Sequence, residues 1–218
     1  MKRSLVVLLV ALLCLQLPGI AQKTPKAKVG ITAGASLSNL VGKIDGRETR
    51  YDSKGGFCTG ILVDVPLGKT RIGFRPELSY MQKGAIISKT KEQTLSWATR
   101  YAEFDFNFVY HTKGAKGLSI FAGLGPALGL NLPSKVVTKT RTAKTEDNLL
   151  MDKESPALLR GIDWGATGVA GLQLKDRWLL GFYYNHGIRN LVPGKNPTDE
   201  IRNSTFSVKL GVLINNGK

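Results

Sequence analysis

The chain has 218 residues, with 31 Lys and Arg against 16 Asp and Glu and a formal charge of +15 at pH 7. That length fits one domain with processing segments. So basic a balance suggests nucleic acid, but the amino terminus argues against that class.

Lys2 and Arg3 precede an apolar run from Leu5 to Leu17, followed by Pro18-Gly19-Ile20-Ala21. A positive start, a short apolar stretch and small residues before the cut predict a secretory signal peptide over residues 1–21. Cys14 raises a lipoprotein alternative, but Leu13 stands where a small residue is expected. An exported chain rarely meets nucleic acid, and the basic residues scatter through turns without a stripe of interleaved aromatics. Lipid head groups and lipopolysaccharide phosphates suit the charge better. Removing the signal leaves Cys58 alone, so no internal disulfide can form. Stability must come from a large core or a membrane. No later segment resembles a spanning helix, so a membrane form must be a barrel.

A basic leader, residues 22–28, opens the mature chain, and the barrel domain is expected over residues 29–214, with a tail at 215–218. Val29 to Ser38 alternates Val29, Ile31, Ala33, Ala35 and Leu37 against Gly and hydroxyl residues. Such period-2 alternation marks a strand with two unlike faces. A polar stretch containing Asp45-Gly46 follows. Gly56 to Val65 is the second strand and Pro66 to Lys69 a short turn. Arg71 to Gln82 is the third, with Ile72, Phe74, Leu78 and Tyr80 opposite Arg71, Arg75, Glu77 and Ser79. Pro76 falls on its apolar side and weakens one rung. A polar loop is expected from Lys83 to Ser96.

The fourth strand, Tyr101 to Tyr110, carries the clearest pattern. Phe104, Phe106, Phe108 and Tyr110 share one face; Glu103, Asp105 and Asn107 share the other. His111 to Lys116 is a tight basic connection. Leu118 to Leu132 makes the fifth strand. Pro133 to Arg160 reads as the longest irregular segment, with a helical turn conceivable at Leu149-Leu150-Met151. Ile162 to Leu174 is the sixth strand, Lys175-Asp176 a two-residue turn and Arg177 to His186 the seventh strand. A proline-bearing loop leads to the eighth, Thr205 to Ile214.

Eight strands of about the ~9–11 residues that cross a bilayer, joined by strictly alternating long and short connections, describe an outer-membrane barrel. A soluble lipocalin-like barrel would put its large apolar residues inside. Here the apolar face is continuous, whereas the other bears Gly, Ser and Thr with Arg71, Arg75, Glu77, Glu103, Asp105, Asp163 and Lys209. Those seven are expected to form a lumen charge network. With the long loops external, Tyr110 and Trp178 fall near the periplasmic ends of their strands. Phe57, Tyr80, Trp164 and Tyr184 fall near the external ends. Two aromatic girdles are what interfacial rings prefer.

Ala21-Gln22, the opening from Val29-Gly30-Ile31-Thr32 to Ser38-Asn39-Leu40, the segment Phe121-Ala122-Gly123-Leu124-Gly125-Pro126-Ala127 and the Tyr101-Ala102-Glu103 strand resemble the PorT-like outer-membrane β-barrel family. The resemblance spans Val29 to Ile214. It implies a small porin-like barrel at the cell envelope and carries an association with secretion.

Chemistry is sparse by comparison. His111 sits at a periplasmic turn and His186 at an external strand end. A lipid-modifying hydrolase would need His186 beside Thr198 or Ser204, oriented by Asp163; a solvated or girdle histidine is the simpler reading. Metal-ligand spacing, a phosphate-binding glycine loop and a nucleophile elbow are all missing from the sequence. The expectation is therefore an all-β, eight-stranded, up-and-down outer-membrane barrel after a cleaved signal peptide. It is a monomer, is not an enzyme and uses no cofactor, and its lumen is plugged. Its partners are outer-membrane lipid, lipopolysaccharide and envelope or secretion-system proteins, not nucleic acid. A narrow channel and a lipid-modifying enzyme are the alternatives.

Overall fold

The structure, a computed structural model, describes residues 27–112, 117–149, 159–192 and 199–214. The expected signal peptide, residues 22–26 of the basic leader and the tail 215–218 lie outside these residues, and Lys28 of the leader already belongs to the first strand. The strands in chain order are β1 (Lys28–Ile44), β2 (Arg47–Arg50), β3 (Asp52–Pro66), β4 (Ile72–Lys89), β5 (Gln93–His111), β6 (Leu118–Thr140), β7 (Lys144–Asn148), β8 (Ile162–Leu174), β9 (Trp178–Gly187) and β10 (Glu200–Ile214). Eight of them form an antiparallel ring, β1-β3-β4-β5-β6-β8-β9-β10, which closes where β10 pairs back onto β1 from Val29↔Ile214 to Lys43↔Glu200. The fold is the expected eight-stranded barrel. β2 and β7 are additions that fold back on β1 and β6.

Alternation in the sequence sets the faces of the wall. Along β5, Tyr101, Glu103, Asp105, Asn107 and Val109 are buried, while Phe106, Phe108 and Tyr110 are exposed. On other strands of the ring Leu124 is 73% and Leu210 65% exposed, whereas Glu77 and Lys209 are almost fully covered. An apolar patch of that extent would be untenable in water. Around a barrel it is the band that meets lipid.

Several strands run further than expected. Lys83 to Ser96 is no loop: β4 continues to Lys89 and β5 starts at Gln93. β1 passes Ser38, reaches Ile44 and returns as β2 through Asp45-Gly46, with left-handed φ of 49° and 74°. β6 crosses Pro133, reaches Thr140 and returns as β7, so much of the expected irregular segment is hairpin. Leu149 is buried beyond it; residues 150 and 151, the rest of the conceivable helical turn, lie outside the described residues. Backbone pairing thus persists beyond the bilayer, where lipid no longer imposes an apolar face and the sequence loses its alternation. The turn between β8 and β9 takes three residues, Lys175 to Arg177, instead of two. Lys175 and Asp176 adopt left-handed φ of 50° and 54° there.

Proline and glycine mark the tight points. Pro76 has no N–H to offer, and the β3–β4 ladder skips from Leu62↔Glu77 to Val65↔Phe74 around it. Pro126 sits in a similar gap, between Asp105↔Ala127 and Phe108↔Leu124. At the closing seam Gly34 lies opposite Lys209, and a Cβ on Gly34 would fall 1.9 Å from the carbonyl oxygen of Val208. Only glycine permits that approach.

Phe106→Arg, which turns a lipid-facing ring into a charge, should cost about 2–4 kcal/mol of folding into bilayers, read by urea titration in lipid vesicles. Gly34→Val should hinder closure of the ring, seen as loss of the compact, fast-migrating band that an unboiled barrel gives on a detergent gel.

Candidate functional site

The barrel interior is the most elaborate polar arrangement in the molecule, and strand parity builds it. β3, β4, β5, β8 and β10 each turn alternate residues inward, and ionisable groups occupy many of those positions. Asp64, Arg75, Glu77, Lys83, Glu103, Asp105, Asp163 and Lys209 are all buried.

Near the periplasmic end Arg75 donates from Nη2 to Asp64 Oδ2 at 2.9 Å and to Gln173 Oε1 at 3.3 Å, and Nη2 lies 3.4 Å from His111 Nε2. Its guanidinium stacks 4.5 Å above the centroid of Phe121. Phe121 belongs to an apolar layer with Leu62, Val109, Val169, Leu179, Tyr183 and Leu213.

At the next level Lys209 Nζ donates to Glu77 Oε1 at 2.9 Å and sits 4.4 Å over the ring of Tyr183. Thr32 donates to the same carboxylate oxygen at 2.7 Å. Asp105 accepts from Thr167 Oγ1 at 2.9 Å, and Asn185 donates to Thr167 at 3.1 Å and to Glu103 at 3.4 Å. Higher still Lys83 is ion-paired to Glu103 and lies 5.2 Å from the Tyr101 ring centroid. Asp163 accepts from Asn203 Nδ2 at 2.8 Å. Each of the three cations thus has a carboxylate partner, and Asp105 and Asp163 are held by neutral donors. Removing charges from water costs several kcal/mol per ion unless pairing and hydrogen bonds offset it. The ion pairs and neutral donors offset much of that cost, although Arg75 Nε and Nη1 and Asp163 Oδ1 are buried without a hydrogen-bond partner among the described residues.

A second apolar layer covers the external mouth. Leu40, Ala85, Leu149, Leu159, Leu191 and Ile201 cluster there, with Tyr51, Trp97 and Val136 packed against them. Backbone bonds fix the inserted segments: Leu149 N–H donates to Ser134 at 3.0 Å, Arg160 N–H to Leu191 at 2.8 Å and Leu191 N–H to Ile201 at 2.8 Å. The lumen is therefore layered: the Arg75–Asp64 pair lies at the periplasmic end against Phe121, and the Lys209–Glu77 and Lys83–Glu103 pairs lie between the two apolar layers.

Six of the seven residues expected in the lumen network are buried inside: Arg75, Glu77, Glu103, Asp105, Asp163 and Lys209. Arg71 is a correction. It precedes β4 at an exposed turn and donates to the Tyr110 hydroxyl at 3.1 Å, because the strand starts one residue after it. The sequence reading missed Asp64 and Lys83. Asp64 already shared the polar parity of its strand. Lys83 was hidden by the assumption that the strand stops at Gln82; extending Met81-Lys83-Ala85 at period 2 would have found it. Phe57, Tyr110, Trp164, Trp178 and Tyr184 lie exposed on the outer face, and Tyr80 is half-covered by Phe57, its ring 5.5 Å away.

His186 and Asp163 do not meet. His186 stacks on Tyr184 at 6.3 Å and pairs in register with Ser204, whereas Asp163 points into the lumen toward Asn203; Thr198 lies outside the described residues. Among the described residues no cluster of three His, Cys, Asp or Glu is placed to hold a metal ion.

A family model described as "Outer membrane protein beta-barrel domain" matches residues 20–192. The chain belongs to that family. No curated protein matches it. Among solved structures it is similar to Ail, the attachment invasion locus protein of Yersinia pestis, at 13% identity over 87% of this chain and 100% of that one, with a TM-score of 0.43. It is also similar to the outer membrane protein OprG of Pseudomonas aeruginosa, at 11% identity over 88% and 97% of the two chains, with a TM-score of 0.48.

The pairing of Lys209 with Glu77 gives a direct test of the network. Lys209→Met strands a buried carboxylate and should destabilise the barrel by about 3–5 kcal/mol. Adding Glu77→Gln should recover most of that loss. Urea midpoints of the two single variants and the double variant, in one detergent, measure the coupling.

Proposed function

We propose that this protein is a non-enzymatic, monomeric barrel of the outer membrane whose closed lumen serves rigidity and whose external hairpins serve interaction. The observation that carries this reading is the layered interior: buried ion pairs between the Phe121–Tyr183 layer below and the Leu40–Leu191 layer above. An eight-stranded barrel leaves an interior just wide enough for side chains. A conducting path needs continuous water, and these two layers interrupt it. Catalysis needs a nucleophile, a base and an orienting acid within reach, and His186 and Asp163 sit on opposite faces of the wall.

What remains for recognition is the external end, where β4 and β5, β6 and β7, and β1 and β2 rise past the bilayer. Rigid walls that carry variable tips suit binding of partners at the envelope. The resemblance of the opening strand and of Phe121 to Ala127 to PorT-like barrels supports an envelope component that works beside a secretion apparatus.

The test is electrical. Purified protein in planar bilayers should give no steady open level, and replacing Phe121 and Tyr183 together by Ala should introduce a leak. Large, stable conductance from the wild-type protein would favour the narrow-channel reading instead.

A further inference from the structure

The external extension has an unusual concentration of one charge. β5, β6 and β7 run side by side there, with Thr94↔Lys139↔Lys144, Ser96↔Val137↔Glu146 and Ala98↔Lys135↔Asn148 in register. Period 2 puts Lys135, Val137 and Lys139 on one face of β6, and Glu146 and Lys144, the register partners of Val137 and Lys139, share that face on β7. Lys139 and Lys144 are thus directly opposed, an arrangement that destabilises a strand pair. Lys54 and Arg100 join them around a cleft of about 340 Å³. Glu146 is the single carboxylate on its lining.

That carboxylate is fully committed. Lys135 approaches Glu146 at 2.5 Å and Lys144 pairs with its other oxygen. Hydrogen bonds from Lys135 and Lys144 hold its pKa down at about 2, so it stays ionised through the physiological range. It cannot also neutralise Lys54, Lys139 and Arg100. Lys54 lies near the start of β3, three residues before Phe57, and is partly buried. Burial, with the repulsion of Lys139 and Lys144, pushes its ammonium pKa below the ordinary lysine value. A stable fold gains nothing from collecting like charges in a concave place; an anion seated there removes the repulsion.

The level of the cleft says which anion. Tyr80 lines its foot and packs on Phe57. Aromatic rings on the outer wall of a barrel, as Phe57 and Tyr80 are, sit at the height of lipid head groups. The cleft therefore opens at and just above the head-group layer, on the external side.

We propose that this cleft binds the phosphate groups of a phosphorylated glycolipid of the outer leaflet, with Lys54, Arg100, Lys139 and Lys144 as the contacting groups. The proposal rests on the interaction reading above and names the ligand chemistry of its external surface. Arg100 supplies a planar fork suited to two phosphate oxygens, and the lysines act as mobile point charges. Glu146 competes with the ligand for Lys144, which tunes affinity downward.

The full mature chain, refolded into phosphatidylcholine nanodiscs, would be titrated with bisphosphorylated lipid A, with the same lipid stripped of phosphate, and with inorganic pyrophosphate. Lipid A should bind, and Lys54→Gln, Lys139→Gln and Lys144→Gln combined should weaken it at least about tenfold through loss of charge-assisted contacts. Glu146→Gln should tighten it several-fold, an outcome that no purely structural role for the hairpin produces. Lys43→Gln, outside the cleft, should leave affinity unchanged. Equal binding of the phosphorylated and stripped lipids, or unchanged affinity in both the triple variant and Glu146→Gln, overturns the site. Pyrophosphate binding as tightly as lipid A overturns the lipid as the source and leaves a soluble anion in its place. If the triple variant does not fold, as judged by the unboiled gel band, Glu146→Gln decides alone. These binding results are independent of conductance, so failure here and failure of the plugged-barrel reading are separate outcomes.

Discussion

Everything in this molecule depends on the seam between β1 and β10. In hydrocarbon no water is at hand for a bare N–H or C=O, so a sheet with open edges cannot exist there. The fifteen-rung register from Val29↔Ile214 to Lys43↔Glu200 removes both edges at once. It joins the first strand to the last, and no intermediate with fewer strands has its backbone satisfied. The close approach at Gly34 shows how little tolerance the seam has.

Closure inverts the usual distribution of polarity. Leu, Phe and Ile go outward because lipid is their solvent, and the interior receives whatever the inward parity carries. A lumen filled with unpaired charge would be ruinous. Here Arg75, Lys83 and Lys209 are matched to Asp64, Glu103 and Glu77, while threonine and asparagine donors hold the remaining carboxylates. Aromatic rings add to the pairing: Phe121, Tyr101 and Tyr183 each lie beneath one of the three cations. The low dielectric strengthens each such contact and raises the cost of losing it.

Beyond the bilayer the same strands keep pairing, and this converts the rim into a second structured region. The Leu40–Leu191 layer packs between the hairpins and covers the lumen from outside. The backbone of the β5–β6–β7 extension is thereby held in register, which keeps Lys139 opposite Lys144. Rigidity inside the barrel and charge concentration outside it are linked through that packing.

The sequence by itself determined the membrane wall. Tyr101 to Tyr110 announced two faces, the remaining strands repeated them, and alternating loop lengths fixed which end was which. Such patterns are local, because adjacent side chains of a strand must point to opposite solvents whatever lies across the sheet. Arg75, Glu77, Glu103, Asp105, Asp163 and Lys209 were legible as inward for the same reason. Their partners were not. Lys209 meets Glu77 across 132 positions of sequence, and only closure of the ring brings β10 within reach of β4. The external hairpins were illegible for a different reason: water on their faces removes the alternation, so Lys83 to Ser96 looked like loop although its backbone is paired throughout most of its length. Opposition of Lys139 to Lys144 depends likewise on the register of one hairpin turn. Parity is written residue by residue along the chain, whereas register, closure and the packing of the lids are decided between segments far apart in it, and so only the tertiary structure could supply them.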